Sequence, residues 1–205
     1  MKSNKKPTAG IILAAGMSRR LGRPKQLAQL QGRFLLEWVV CAALASKLDA
    51  VYLVLGHERQ RVLDAMEDIS WRSRVRVVSA TDYRQGMSRS VIAGLSAVKA
   101  DHPSVMFLLG DQPLVTPEDI DRLLEAFWGS DKDICVPMHG HRRGNPTIFG
   151  GNLYDELLRI RGDEGARGVI DAHGPDVRYV EVDDPSGFLD VDTEQDLEAL
   201  KPFLC

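Results

Sequence analysis

The sequence predicts an α/β fold: a single-domain three-layer sandwich with a mostly parallel central sheet and helices on both faces. Three observations predict it. Short apolar runs alternate with longer amphipathic segments along the chain. Several of the runs are almost continuously apolar, as parallel strands buried on both faces are. The 205 residues, 44% of them hydrophobic, bury a sizeable core without disulfides or a structural metal, and no linker or low-complexity tract divides them.

The first strand is expected at Ala9–Ala15, an apolar run that ends in a glycine-rich loop. A helical pattern over Leu35–Lys47 leads to a strand at Ala50–Leu55, then a helix at Glu58–Asp68 and a strand at Val75–Ser79. Gly86 precedes the helix Met87–Lys99, which returns to the strand Val105–Leu109. The helix Pro117–Trp128 has a strong start: Thr116 to cap it, Pro117 at its first position and Asp119 three residues after the cap. Strands at Ile134–Pro137 and Thr147–Phe149 flank the turn-rich, basic stretch 139–146, which predicts a small antiparallel excursion over 138–150. Helices at Asn152–Arg159 and Ala166–Ala172, a strand at Val177–Val182 and a helix at Glu194–Leu200, capped by Thr193 with Asp196, complete the chain. Residues 1–205 read as one domain, with 1–8 flexible.

Composition narrows the function. Lys and Arg number 26 and Asp and Glu 29, a formal net charge of -3. A protein that coats nucleic acid is usually basic. No apolar run approaches the ~20 residues of a membrane helix, and Gly16 with Arg19-Arg20 ends the N-terminal apolar stretch too early for a signal peptide. Cys41, Cys135 and Cys205 lie far apart, without disulfide or CxxC spacing. The expectation is a cytoplasmic protein with no nucleic-acid or membrane partner. The five histidines form no zinc pattern, and there is no GxSxG.

In open α/β sheets ligands sit beyond the carboxyl ends of the strands. The loop after the first strand reads Leu13-Ala14-Ala15-Gly16-Met17-Ser18-Arg19-Arg20-Leu21-Gly22-Arg23-Pro24-Lys25. Small residues admit a ligand to the backbone, whose free N–H groups can cradle phosphate oxygens. Four cations fall within the seven residues Arg19–Lys25. The pattern is neither GxGxxG nor GxxxxGK[ST]. Asp111 ends the strand Val105–Leu109 between Gly110 and Pro113, a position suited to holding Mg²⁺ against phosphates. Asp190 and Asp192 share a side if their segment is extended, and either could be a second carboxylate ligand. Thr193 reads as a helix cap. Ser88 and Ser90 stand at the start of a helix, where N–H donors favour anions, although Ser88 could equally be an ordinary cap. Arg142, Arg143, Asn145 and Pro146 form a basic turn, either solvated or facing a phosphorylated acceptor. Asp163 stands in a turn entering a helix and could simply cap it.

The string Leu13-Ala14-Ala15-Gly16-x-Ser18-x-Arg20-x-Gly22-x-x-Lys25 resembles the signature of nucleotidyltransferases with a Rossmann-like fold. Within them it is most similar to the molybdenum cofactor cytidylyltransferases. Further matching segments are Gly86-Met87-Ser88-x-Ser90, Gly110-Asp111-Gln112-Pro113, Gly144-x-Pro146-x-x-Phe149, Gly162-Asp163-x-Gly165-Ala166-Arg167 and Asp190-Val191-Asp192-Thr193. The chain departs from the pattern at Ala80 and Asn145, where relatives often have Asn and His.

The resemblance implies that the glycine loop binds a nucleoside triphosphate, with Gly86, Ser88 and Ser90 bordering base and ribose. It makes Arg20 a phosphate ligand, Lys25 the group that neutralises charge at the α-phosphate, and Asp111 with Asp190 the ligands of Mg²⁺ or Mn²⁺. Arg142, Arg143, Asn145, Pro146 and Asp163 would face the acceptor. The implied reaction transfers CMP from CTP to the terminal phosphate of molybdopterin carrying molybdenum, for delivery to a molybdenum hydroxylase. Alternatives are GTP as donor, a sugar phosphate or methylerythritol phosphate as acceptor, or a nucleotide-binding chaperone that only delivers the cofactor.

Overall fold

The computed structural model describes residues 6–18, 20–67, 71–163 and 165–204. Arg19 and Cys205, singled out above, lie outside the described residues, as do residues 1–5, 68–70 and 164. The central sheet has the path β10(Val177–Glu181)-β7(Ile134–His139)-β9(Thr147–Gly150)-β6(Ser104–Leu109)-β1(Thr8–Ala14)-β4(Ala50–Leu55)-β5(Arg76–Ser79), with β8(Arg142–Arg143) paired to β7. Pairings β1·β4, β1·β6, β4·β5 and β7·β10 are parallel. β9 alone on this path runs against its neighbours β6 and β7. It follows β7 and β8 in the chain and inserts between β6 and β7. Thr8, placed by sequence in a flexible segment, instead opens β1. It is fully buried, and its hydroxyl lies 2.8 Å from that of Ser104.

Alternation along β1 explains the layers. Ile12 and Ala14 face one side, where they pack with Leu36, Val39 and Val40 of α1(Leu35–Ala45), Val62 of α2(Arg59–Ala65), and Ile120, Leu124 and Phe127 of α4(Pro117–Trp128). Ala9 and Ile11 face the other side. There they meet Val91, Leu95 and Val98 of α3(Met87–Val98), Leu157 of α5(Tyr154–Leu157) and Ile170 of α6(Arg167–Ala172). Strands with both faces covered must be apolar throughout, which is why their sequences do not alternate.

A third, smaller cluster joins Leu30 and Leu35 to Leu197 and Leu200 of α7(Glu194–Leu200), with Val191 and Leu114 between them. It fixes a hairpin of β2(Gln29–Leu30) and β3(Arg33–Phe34) that sequence reading passed over. Its two-residue turn has Gln31 at φ 53° and Gly32 at φ 77°, the double positive φ of a hairpin turn whose twist suits the strands. The caps at Thr116 and Thr193 form as expected: each hydroxyl accepts from the N–H three residues on, at Asp119 and Asp196. No helix among the described residues is long and apolar enough to cross a membrane.

Candidate active site

The order β5-β4-β1-β6 creates the site. Chain growth runs outward from β1 through β4 to β5, then crosses to β6 on the other side of β1. Such a reversal opens a crevice at the carboxyl ends of the two central strands. Leu13 pairs with Leu109 in the register of β1 and β6, and the Gly110 N–H donates to Leu13 O at 3.0 Å. The glycine loop and Asp111 therefore start side by side.

A cavity of about 380 Å³ lies there, within the size range of small-molecule sites. Leu13, Ala14, Ala15, Gly16, Lys25, Gly86, Ser90 and Asp111 line it, as the sequence indicated. Met17, Gln26, Tyr83, Arg84, Met87, Leu109, Gly110 and Asp163 complete the wall. A Cβ on Gly16 would meet nothing within 4 Å, so the loop backbone there is open to a ligand.

Four expected nucleotide residues do not line the cavity. Ser18 (φ 49°) and Gly22 (φ 69°) shape the loop: the Ser18 hydroxyl accepts from the Lys25 N–H at 3.0 Å, which brings Lys25 back beneath β1. Arg20 is 70% exposed and pairs through Nη2 with Asp192 Oδ2 at 2.7 Å. Ser88 is buried and borders a different depression with Ile92 and Leu158. At 100° per residue, Met87 and Ser90 share one face of α3 while Ser88 and Ile92 share another. Nor does Ser88 cap the helix. Gly86 precedes it, and the carboxylate of distant Asp163 accepts from the Met87 N–H at 3.2 Å.

Lys25 is the centre of the polar network. Its Nζ donates to Asp111, and to Asp192 Oδ1 at 3.3 Å. The side chains of Lys25 and Asp111 are 18% and 19% exposed. Burial works against the ammonium, but Asp111 and then Asp192 outweigh it and hold its pKa above the ordinary lysine value. Asp190 takes a different partner: Gln112 Nε2 donates to its Oδ1 at 2.8 Å. Burial, then the nearby Asp111 charge, pushes the Asp190 carboxyl up.

The segment 190–193 is anchored at both ends. Val191 N–H donates to Asp111 O at 2.9 Å, and Asp196 Oδ2 accepts from the N–H groups of Asp192 and Thr193 at 3.0 and 2.7 Å. Those bonds, the Asp192 N–H first, hold the Asp196 carboxyl below its ordinary value. Gln26 was not anticipated. Only 2% exposed, it donates from Nε2 to Ala14 O at 2.6 Å and ties the Lys25 turn to the end of β1. Its signal in the sequence was a polar residue between Lys25 and the apolar Leu27-Ala28.

A second cavity of about 410 Å³ adjoins the first and shares Met87, Leu109 and Asp163 with it. Of the expected acceptor residues, Arg143, Asn145 and Asp163 line it. Arg142 and Pro146 do not. Adjacent residues of a strand face opposite ways, so Arg143 reaches Asp171 at 2.6 Å while Arg142 donates to Phe188 O at 3.3 Å. Pro146 borders a small crevice with Leu123 and Phe188.

Residues 10–177 match the MobA-like NTP transferase domain, a span that includes the glycine loop, Lys25 and Asp111 but not Asp190 or Asp192. The chain is 32% identical over 165 residues to the bifunctional protein GlmU of Sorangium cellulosum, covering 79% of this chain and 35% of that protein. It spans between 25% and 35% of the length of five GlmU relatives. It is 30% identical over 203 residues to nicotine blue oxidoreductase of Paenarthrobacter nicotinovorans, covering 93% of this chain and 95% of that one.

Among solved structures, Rv0371c of Mycobacterium tuberculosis superposes with a TM-score of 0.81 at 30% identity, over 95% of this chain and 98% of that one. A structure of Rv0371c in complex with manganese gives 0.79 at 28%, over the same shares. A molybdopterin-guanine dinucleotide biosynthesis protein A from Archaeoglobus fulgidus, at 20% identity and a TM-score of 0.69 over 96% and 97% of the two chains, shares the fold. The domain match covers most of the chain, and the glycine loop, Lys25 and Asp111 inside it converge on one cavity; the chain belongs to the MobA-like NTP transferase family.

Proposed function

We propose that the protein transfers CMP from CTP to the terminal phosphate of the molybdenum-bearing pterin cofactor and releases pyrophosphate. One observation carries the nucleotidyl-transfer part: the half-buried Lys25 and Asp111 meet in the wall of a cavity that the glycine loop also lines. Such transfer depends on positioning and charge stabilisation rather than on covalent chemistry by the protein. The open backbone at Gly16 would receive the triphosphate. Lys25, a compact charge on a flexible stem, would stabilise negative charge as the α-phosphate changes geometry, with Arg20 at the loop edge. A phosphate oxygen is already a nucleophile, so no residue need act as a general base. The acceptor would occupy the second cavity, facing Arg143, Asn145 and Asp163. CTP is favoured over GTP by the likeness of Leu13-Ala14-Ala15-Gly16 and Gly110-Asp111-Gln112-Pro113 to the cytidylyl branch.

The donor set suits Mg²⁺ or Mn²⁺. Asp111 and Asp190 are hard oxygen ligands whose charges already oppose each other, a strain that a cation relieves. Among the described residues no group of three or more His, Cys, Asp or Glu side chains is gathered to hold a metal by itself. That agrees with an ion held by one or two carboxylates and completed by phosphates and water. When bound, the ion would neutralise the phosphates. The manganese complex of Rv0371c supports this reading.

Purified protein with Mg²⁺ and the metal-loaded pterin should release pyrophosphate faster from CTP than from GTP. Asp111→Asn should remove most turnover while circular dichroism stays unchanged. A preference for GTP or for a sugar phosphate would replace the cytidylyl assignment, and full activity of Asp111→Asn would remove Asp111 from the reaction. The near full-length similarity to nicotine blue oxidoreductase favours a second reading, in which the same cavity serves a redox reaction. Nucleotide-dependent oxidation or reduction of a dye without pyrophosphate release would support that reading instead.

A further inference from the structure

We infer that Lys25 holds the seat of the divalent cation in the nucleotide-free site, so that the metal enters as a metal–nucleoside triphosphate complex and not as a free ion. The inference rests on the reading of this centre as a metal-dependent nucleotidyltransferase site. Asp111 and Asp192 both face Lys25, and the Asp111 charge also bears on the half-buried Asp190; carboxylates brought this near to one another require a compensating cation. Lys25 is that cation. Its ammonium bonds Asp111 and reaches Asp192 at 3.3 Å, while Arg20 holds the other Asp192 oxygen at 2.7 Å.

A divalent ion arriving alone must take the Asp111 carboxylate away from Lys25. It then faces a displaced, largely buried ammonium with no new partner, and like charges this close repel strongly. An ion arriving on a triphosphate brings the partner with it. Lys25 exchanges carboxylate oxygens for phosphate oxygens, and Asp111 exchanges an ammonium for the metal. Every charge stays paired through the exchange. The short travel needed suits a lysine, whose single charged head can turn on a flexible stem, better than an arginine fork.

This assigns Lys25 two effects of opposite sign. Removing it should weaken turnover but strengthen binding of the free metal. A lysine that only meets phosphates would leave free-metal affinity unchanged.

The test is titration of the full chain with Mn²⁺ alone, followed by electron paramagnetic resonance of the unbound ion. Lys25→Met and Lys25→Gln should bind free Mn²⁺ about tenfold or more tightly than the parent, the scale of one partly buried charge pair released from competition. Arg23→Met carries the same change in net charge, but Arg23 pairs with Glu194 at 2.6 Å on the exposed loop; it should match the parent, which separates seat occupancy from general electrostatics. Circular dichroism confirms folding of each variant, and two variants guard against one that fails. If both Lys25 variants bind free Mn²⁺ no better than the parent or than Arg23→Met, the inference is wrong. Equilibrium dialysis of CTP and GTP, with and without Mn²⁺, separates the two levels of the argument. A parent that retains neither nucleotide under any condition sinks the underlying reading. A parent that retains one with Mn²⁺, while the Lys25 variants show no gain on Mn²⁺ alone, sinks only the inference.

Discussion

Gly86→Ala tests how closely the start of α3 packs on Gly162 and Asp163. Gly86 has φ 109° and ψ 174°, a region essentially reserved for glycine, which costs another residue ~1–3 kcal/mol. A Cβ there would lie 2.5 Å from both the carbonyl carbon and oxygen of Gly162 and 2.7 Å from Asp163 Oδ1. The carbonyl would have to retreat by about 0.9 Å to reach ordinary contact at 3.4 Å. Overpacking of this kind costs a further ~1–3 kcal/mol, so about 2–6 kcal/mol is expected in all. The retreat also strains the bond from Ser88 N–H to Gly162 O at 3.0 Å and the one from Met87 N–H to Asp163 at 3.2 Å. Because Gly86, Met87 and Asp163 line the first cavity, KM for the nucleotide should rise with the loss of stability. Urea unfolding measures the first effect and pyrophosphate release the second. Gly22→Ala is the comparison: φ is 69° but no atom lies within 4 Å of the added Cβ, so only ~1–2 kcal/mol of left-handed backbone cost applies. A Gly86→Ala loss no larger than that of Gly22→Ala would refute the steric argument.

Thr193→Ala should cost ~1 kcal/mol through the lost cap and lower turnover by loosening the Asp190–Asp192 segment; Thr116→Ala should cost a similar amount and leave KM unchanged, and identical kinetics in the two variants would contradict this. The Asp190 carboxyl is raised by burial and by Asp111. Its ionised form therefore opposes folding, with no penalty below the unfolded-state value and the full penalty above the raised folded-state one. Stability should fall as pH rises through that interval, and Asp190→Asn should remove this dependence. It should melt no lower than the parent at neutral pH while losing turnover; a lower melting temperature would show that the carboxylate stabilises the fold. Burial pushes the Cys135 thiol up to about 12, so iodoacetamide at mildly alkaline pH should leave it unmodified in the folded protein and label it after denaturation, as read by peptide mass spectrometry.

Much of the lining of the candidate site was legible because its marks are local. Small residues, cations and a strand-terminal acid cluster within short stretches, and strands buried on both faces write their location as apolar runs. The bounds of Ala50–Leu55, Pro117–Trp128 and Glu194–Leu200 agree with the structure residue for residue. The misses share one cause. Ser88 was grouped with Ser90 by proximity in the chain, yet the rotation of α3 against the sheet sends the two to different surfaces. Arg142 and Arg143 were grouped likewise and parted by the alternation of β8. Gln26 carries no motif chemistry of its own and became visible only through the Ala14 carbonyl it holds; Gln112 stood in a matching segment, but its hold on the Asp190 carboxylate came only with the structure.

The sequence by itself determined the α/β class and the order of the main strands and helices, since these follow from periodicity and capping. Only the tertiary structure decided which charges answer one another. Lys25 meets Asp111 and Asp192, neither of them near it in the chain, because β1 and β6 are sheet neighbours and a small apolar cluster pins the last helix beneath the glycine loop. Hydrophobic burial sets those long-range neighbours, and it leaves no trace at the charged positions themselves.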